Sequence, residues 1–185
     1  MTFLQRIKKA TGRYVLDQEM NHLSRNKEFV NLDTAMTTGI LFHHTNEEDF
    51  VAIQGFLREL SGNNKQVTGL GFIEAHDIPV FYLLKKGITF FCLKDLNWYY
   101  KPQADFVIDF INREFDLLIN LSLDNYFPVE YVYALSRARF KAGKLTKGYN
   151  YDDLTIDVKE SRDIKYLIQQ FSHYLSIINK KGQKL

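Results

Sequence analysis

At 185 residues, with 45% hydrophobic and 25% charged side chains, the chain suits one globular domain burying about 70% of its unfolded surface, which excludes bulk disorder. The single cysteine, Cys92, excludes a disulfide framework and any CxxC redox or zinc spacing, so a cytoplasmic address is expected. A formal net charge of +2 is too small for a generic polyanion binder, so any electrostatic function must come from how the charge is distributed.

The first segment is basic. Residues 3 to 25 read as a helix outside the sheet, with Phe3, Ile7, Ala10 and Tyr14 recurring at three- and four-residue intervals and Arg6, Lys9 and Arg13 on a neighbouring face. The first 16 residues carry four basic side chains and no acidic one. The apolar run of a signal peptide does not follow Arg6-Ile7-Lys8-Lys9, because Gly12, Arg13, Asp17 and Gln18 interrupt. Nowhere do eighteen apolar residues follow one another, so no membrane span is expected.

Arg25-Asn26-Lys27 and Asn31 read as a turn or linker. Thr38 to His43 is apolar without clean alternation, as in a strand covered on both faces. Thr45 and Glu48 form the pattern of a capping box, opening a helix marked by Phe50, Ile53, Phe56, Leu57 and Leu60 and stopped by Ser61-Gly62-Asn63-Asn64. Gln66 to Ile73 is the second predicted strand; Val80 to Leu84, an edge-strand candidate, and Ile88 to Cys92 are two further strand-like runs. An aromatic loop from Lys94 ends at Pro102, and a helix over about 103–113 precedes a strand at 115–121. Pro128 suits the first turn of a helix reaching about Ala138, with Asp124 or Asn125 as its cap. Phe140 to Lys144 and Leu154 to Val158 are the last strands, and a helix from Arg162 to Ile178 closes the domain.

This alternation predicts an α/β doubly wound fold: an open, mostly parallel sheet of five to six strands with helices on both faces. The expected organisation is a basic helical arm over 1–33, one α/β domain over 34–179 and a basic tail over 180–185. No internal repeat or linker divides it further.

Ligands of such sheets bind beyond the carboxyl ends of the strands. After the first strand comes His43-His44-Thr45-Asn46-Glu47-Glu48-Asp49, three carboxylates where a phosphate site needs glycines, and neither GxGxxG nor GxxxxGK[ST] occurs. His43 and His44 are adjacent and point to opposite faces of a strand, so they do not share a metal, and hydrogen-bonded strand-end residues are the plain alternative. Ser122 lacks the GxSxG elbow of a nucleophile. Asp152 and Asp153 read as a solvated turn, Asp157 as an edge position and Cys92 as a core residue. No catalytic residue, metal or cofactor is expected.

The positive signal is basic and aromatic. Arg137, Arg139, Lys141, Lys144 and Lys147 lie between Tyr131 and Tyr151 without an acidic residue, interleaved with aromatics. With Arg6, Lys8, Lys9 and Arg13, with Arg25, Lys27 and Lys101, and with Lys180 and Lys181, they offer a basic face to phosphates; Trp98, Tyr99 or Tyr100 offers a ring to a splayed base. The competing reading is ordinary solvated charge and core aromatics.

Residues 25–32, Lys94 to Tyr99, Phe115 to Ser122 and Ala134 to Gly143 resemble a functionally uncharacterised family of small α/β proteins of flavobacteria and other Bacteroidetes. The resemblance further implies a lineage-specific protein of the large ribosomal subunit. From it follow the expected function, a noncatalytic rRNA-binding ribosomal protein, and the expected partners, ribosomal RNA and neighbouring ribosomal proteins, with no small-molecule substrate. The alternatives are a small-ligand (nucleotide or sugar) binder or enzyme at the strand ends, and a protein-protein adaptor.

Overall fold

The structure, a computed structural model, describes residues 3–62, 64–146, 150–158 and 163–178. Six strands, β1 (Thr37–His44), β2 (Gln66–Ile73), β3 (Ile88–Cys92), β4 (Leu117–Asn120), β5 (Phe140–Lys144) and β6 (Leu154–Ile156), form one sheet in the order β3-β2-β1-β4-β5-β6. Every pairing is parallel. This is the strand order of doubly wound dinucleotide-binding folds, and it puts a topological switch point between β1 and β4.

Among the described residues six α-helices surround the sheet: α1 (Phe3–Asn21), α2 (Glu47–Leu60), α3 (Val80–Leu83), α4 (Asp105–Asn112), α5 (Phe127–Leu135) and α6 (Ile164–Ile177). On one face Ile40, Phe42 and Ile119 pack with Phe50 and Phe56 of α2 and Leu167 and Phe171 of α6. On the other, Leu41, Phe72 and Leu118 pack with Val107 and Phe110 of α4 and Val129 and Val132 of α5. The strands are apolar on both sides because both sides are covered.

A third layer lies outside α5. Leu16 of α1 packs on Phe127, Tyr131, Ala134 and Leu135, so α5 is buried along its whole length. The helices touch at Gly12, where a Cβ would stand 2.5 Å from the Tyr99 carbonyl oxygen and 2.8 Å from the Phe127 ring. Only glycine permits that approach.

Several boundaries differ from the sequence reading. Val80 to Leu84 is a short helix, α3, instead of an edge strand; Pro79 opens it, and Tyr82 alone of its four residues is buried. The edge strands are β3 and β6. The N-cap of α2 is Asn46, one residue beyond Thr45, and its side chain accepts from the Asp49 N–H. Neither Asp124 nor Asn125 caps α5, whose N-cap position is Tyr126 with no side-chain bond. Helix α1 ends at Asn21, and α6 begins at Ile164 with Asp163 as its cap.

Candidate functional site

The carboxyl ends of β1 and β4 meet at the switch point, and side chains occupy it. The Ser122 hydroxyl accepts from the His43 N–H at 3.1 Å, and the Tyr126 ring stacks on the His43 imidazole at 4.5 Å and 25°. His43 and His44 face opposite sides of the sheet: His43 also contacts Phe72, whereas the His44 Nε2 meets the Tyr82 hydroxyl at 2.9 Å. Burial lowers the pKa of both imidazoles, against the nearby carboxylates of Glu74 and Asp124 for His43 and of Glu47 and Asp49 for His44. Glu47, Glu48 and Asp49 fill the first turn of α2, and the helix dipole there is already matched by carboxylates. An anionic phosphate at this end of α2 would meet repulsion.

Above this end of the sheet lies the first half of α1. Gly12 lies on Phe127, Arg13 on Glu130 and Glu19 on Tyr131, so α1 runs along α5 with residues 3–11 toward and past the start of α5. None of those residues is buried. The apolar stripe named in the sequence faces outward: Phe3 is 76% and Tyr14 66% exposed, with Leu4 and Ile7 also exposed. Arg6 and Lys9 are exposed and Lys8 is half-buried; among the described residues none of the three forms an ion pair.

Between this overhang and the strand ends is a cleft of about 450 Å³, lined among others by Lys9, Glu74, Tyr100, Asn125, Tyr126 and Phe127. Glu74 follows β2 and is exposed. Burial, together with this nearby carboxylate, pushes the Tyr126 phenol well above its usual range.

Many of the other expected RNA contacts are spent inside the protein. Arg13 grips the Glu130 carboxylate with both terminal nitrogens, at 2.6 and 2.8 Å, and also bonds the Tyr151 hydroxyl at 3.0 Å. Arg25 donates to the Ala138 carbonyl oxygen at 2.9 Å and pairs with Asp153, which Lys27 reaches at 3.2 Å while remaining largely exposed. Lys101 pairs with Glu19; Arg139 pairs with Glu28 and Asp116; Lys144 donates to the Leu123 carbonyl oxygen at 3.0 Å.

Lys141 is a correction. It is 1% exposed, and its Nζ donates to the carbonyl oxygens of Tyr133 and Ala134 at 2.8 and 2.9 Å. It caps the carboxyl end of α5, where helix carbonyls lack partners, and no phosphate reaches it. Burial, then Arg25, draws its pKa well below the usual lysine range, opposed by Asp153 and Asp152. Asp152 and Asp153 are likewise not a solvated turn. Asp153 accepts from the Lys141 N–H at 2.9 Å, and the Asp152 carboxylate sits against Gly143, where a Cβ would be 2.2 Å away.

Arg137 and Trp98 are exposed, and Tyr99 is half-buried beside Trp98. Lys147, Lys180 and Lys181 lie outside the described residues. The structure therefore keeps Arg6, Lys8 and Lys9 out of ion pairs among the described residues, on the first half of α1, and diverts Arg13, Arg25, Lys101, Arg139, Lys141 and Lys144 to internal partners.

Sequence reasoning missed Glu74, Glu130 and Tyr126. Glu130 carried a signal: it is the one charged residue in the apolar run Phe127 to Leu135, and a lone carboxylate there calls for a buried partner. Glu74 and Tyr126 carried none, since a fold must first bring them together.

The class of protein is thus a doubly wound α/β domain with an added outer helix and a switch point filled by its own side chains. The chain belongs to a family of unknown function (DUF6913), which it matches over residues 8–178. No curated protein and no solved structure matches it. Among the described residues, no helix is long and apolar enough to cross a membrane.

Proposed function

We propose that the protein is a noncatalytic RNA-binding protein that docks on the large subunit of the bacterial ribosome through the first half of α1. One observation carries the reading: Arg6, Lys8 and Lys9 lie close together on the first half of α1, where no residue from 3 to 11 is buried and, among the described residues, none of the three forms an ion pair, and no acidic residue precedes Asp17. Such cations neutralise phosphates and fix position without reading sequence. The exposed stripe of Phe3, Ile7 and Tyr14 on the same segment suits a neighbouring ribosomal protein, since isolated domains seldom leave so much apolar surface bare.

The noncatalytic part draws support from the switch point, where Ser122 accepts a backbone hydrogen bond and His43 is stacked under Tyr126. The test is sedimentation of native lysate through a gradient. The protein travels with large subunits at low salt and leaves them as salt rises; migration with free proteins at low salt contradicts the proposal. A second reading, a small-ligand site for a nucleotide or sugar, is favoured by the 450 Å³ cleft, which falls within the usual size range of ligand pockets.

A further inference from the structure

The cleft beneath the α1 overhang has a composition that neither a docking surface nor a plain core requires. Its one described lining carboxylate is Glu74, its one described lining cation is Lys9, and aromatic side chains form much of the rest. We infer that it receives one unpaired guanine nucleotide of the bound RNA. The assignment rests on the RNA-docking reading, which supplies the strand.

Three features define the occupant. The first is a fixed platform. Tyr126 is backed by His43, which rests in turn on Phe72, so its ring cannot recede when a planar base stacks on it. Tyr100 stands on the same cleft and is held at φ +68, a region that tyrosine seldom enters. The turn that holds it is built on Asn97: its side-chain oxygen accepts from the Tyr99 and Lys101 N–H groups at 3.1 and 3.0 Å, and its carbonyl from Tyr100 N–H at 3.0 Å. Strain kept in place by three hydrogen bonds at a cleft wall suits a preorganised binding surface.

The second feature is the carboxylate. Glu74 lines the same cleft as Tyr126 and is exposed to water. A carboxylate presents two acceptor oxygens and no donor. Guanine alone among the four bases offers two adjacent donors, N1–H and the N2 amino group, on one edge. The other bases meet the same carboxylate with a single donor. The third feature is Lys9, on the α1 side of the cleft, which faces the phosphate of a nucleotide whose base lies on Tyr126. A stacked ring, a doubly accepting edge and a cation together specify a nucleotide over a sugar or a lipid.

Calorimetric titration of the full chain with GMP, AMP, CMP and UMP tests this. GMP is expected to bind saturably and at least tenfold more tightly than AMP, and Glu74→Gln, an exposed change that leaves the unfolding midpoint in place, is expected to erase the difference. Equal binding of the four, no binding of GMP, or a guanine preference kept by Glu74→Gln overturns the inference. A labelled single-stranded adenine decamer reads the docking alone. If the decamer binds while GMP shows no preference, the cleft assignment falls and the docking stands; if GMP binds selectively while RNA does not, the docking falls and with it the RNA strand, leaving the cleft a site for a free guanine nucleotide.

Discussion

The Arg13 guanidinium and the Glu130 carboxylate, 117 residues apart, form a two-pronged ion pair that fastens α1 to α5. The Glu130 side chain is 7% exposed and that of Arg13 20%. Such forked geometry is the strongest form of the arginine-carboxylate contact. It ties down the inner half of α1 and so determines where the outer half projects.

Truncating one partner strands the other. Glu130→Ala is expected to cost about 3 kcal/mol, because it leaves a guanidinium and the Tyr151 hydroxyl without their acceptor in a mostly dry setting. Arg13→Ala is expected to cost less, its site being more open to water. The double variant should lose less than the two costs combined. Urea unfolding of the four proteins measures the coupling, and strictly additive losses would show that the pair contributes no coupling of its own.

Acid should weaken the fold through its two strand-end histidines. Burial holds His43 and His44 below 6.5, so over the window from 6.5 down to their folded values the unfolded chain binds more protons than the folded one. The stability from keeping them neutral is therefore present above pH 6.5 and lost as pH falls. Asp153 acts later: burial raises its pKa, but the hydrogen bonds from Arg25 and Lys141 outweigh this and leave it below 3.8, so its contribution is lost only in stronger acid. Asp152, raised by burial, works in the opposite direction near that range. The urea midpoint at pH 5.5 should lie below that at pH 7.5, and His43→Phe should shrink the gap. An unchanged midpoint between the two would contradict the assignment.

The sheet was legible because its strands are short apolar runs separated by helical periods, and that pattern survives without any knowledge of contacts. Val80 to Leu84 misled for the same reason: five apolar or aromatic residues in succession resemble a buried strand, yet Val80, Phe81, Leu83 and Leu84 are exposed around a single helical turn. The basic segments misled more seriously. Arg25 and Lys141 look like surface cations in sequence, but Asp153 and the end of α5 claim them, and those partners become neighbours only after β5 and β6 pair. Helix α1 was legible as amphipathic; its direction was not. Gly12 and Leu16, not the Phe3-Ile7-Tyr14 stripe, face the body, because α5 offers a surface that only a glycine can approach closely.

The central claim is that Arg6, Lys8 and Lys9 carry the contact with RNA, and the salt dependence of binding tests it most directly. Affinity for large-subunit ribosomal RNA is measured across a range of salt for the parent and for the variant with all three changed to alanine. Each lost phosphate contact should reduce the slope of log affinity against log salt by about 0.7 to 0.9, so the variant should bind more weakly with a slope shallower by about 2 to 3. An affinity and slope unchanged in the variant would contradict the account.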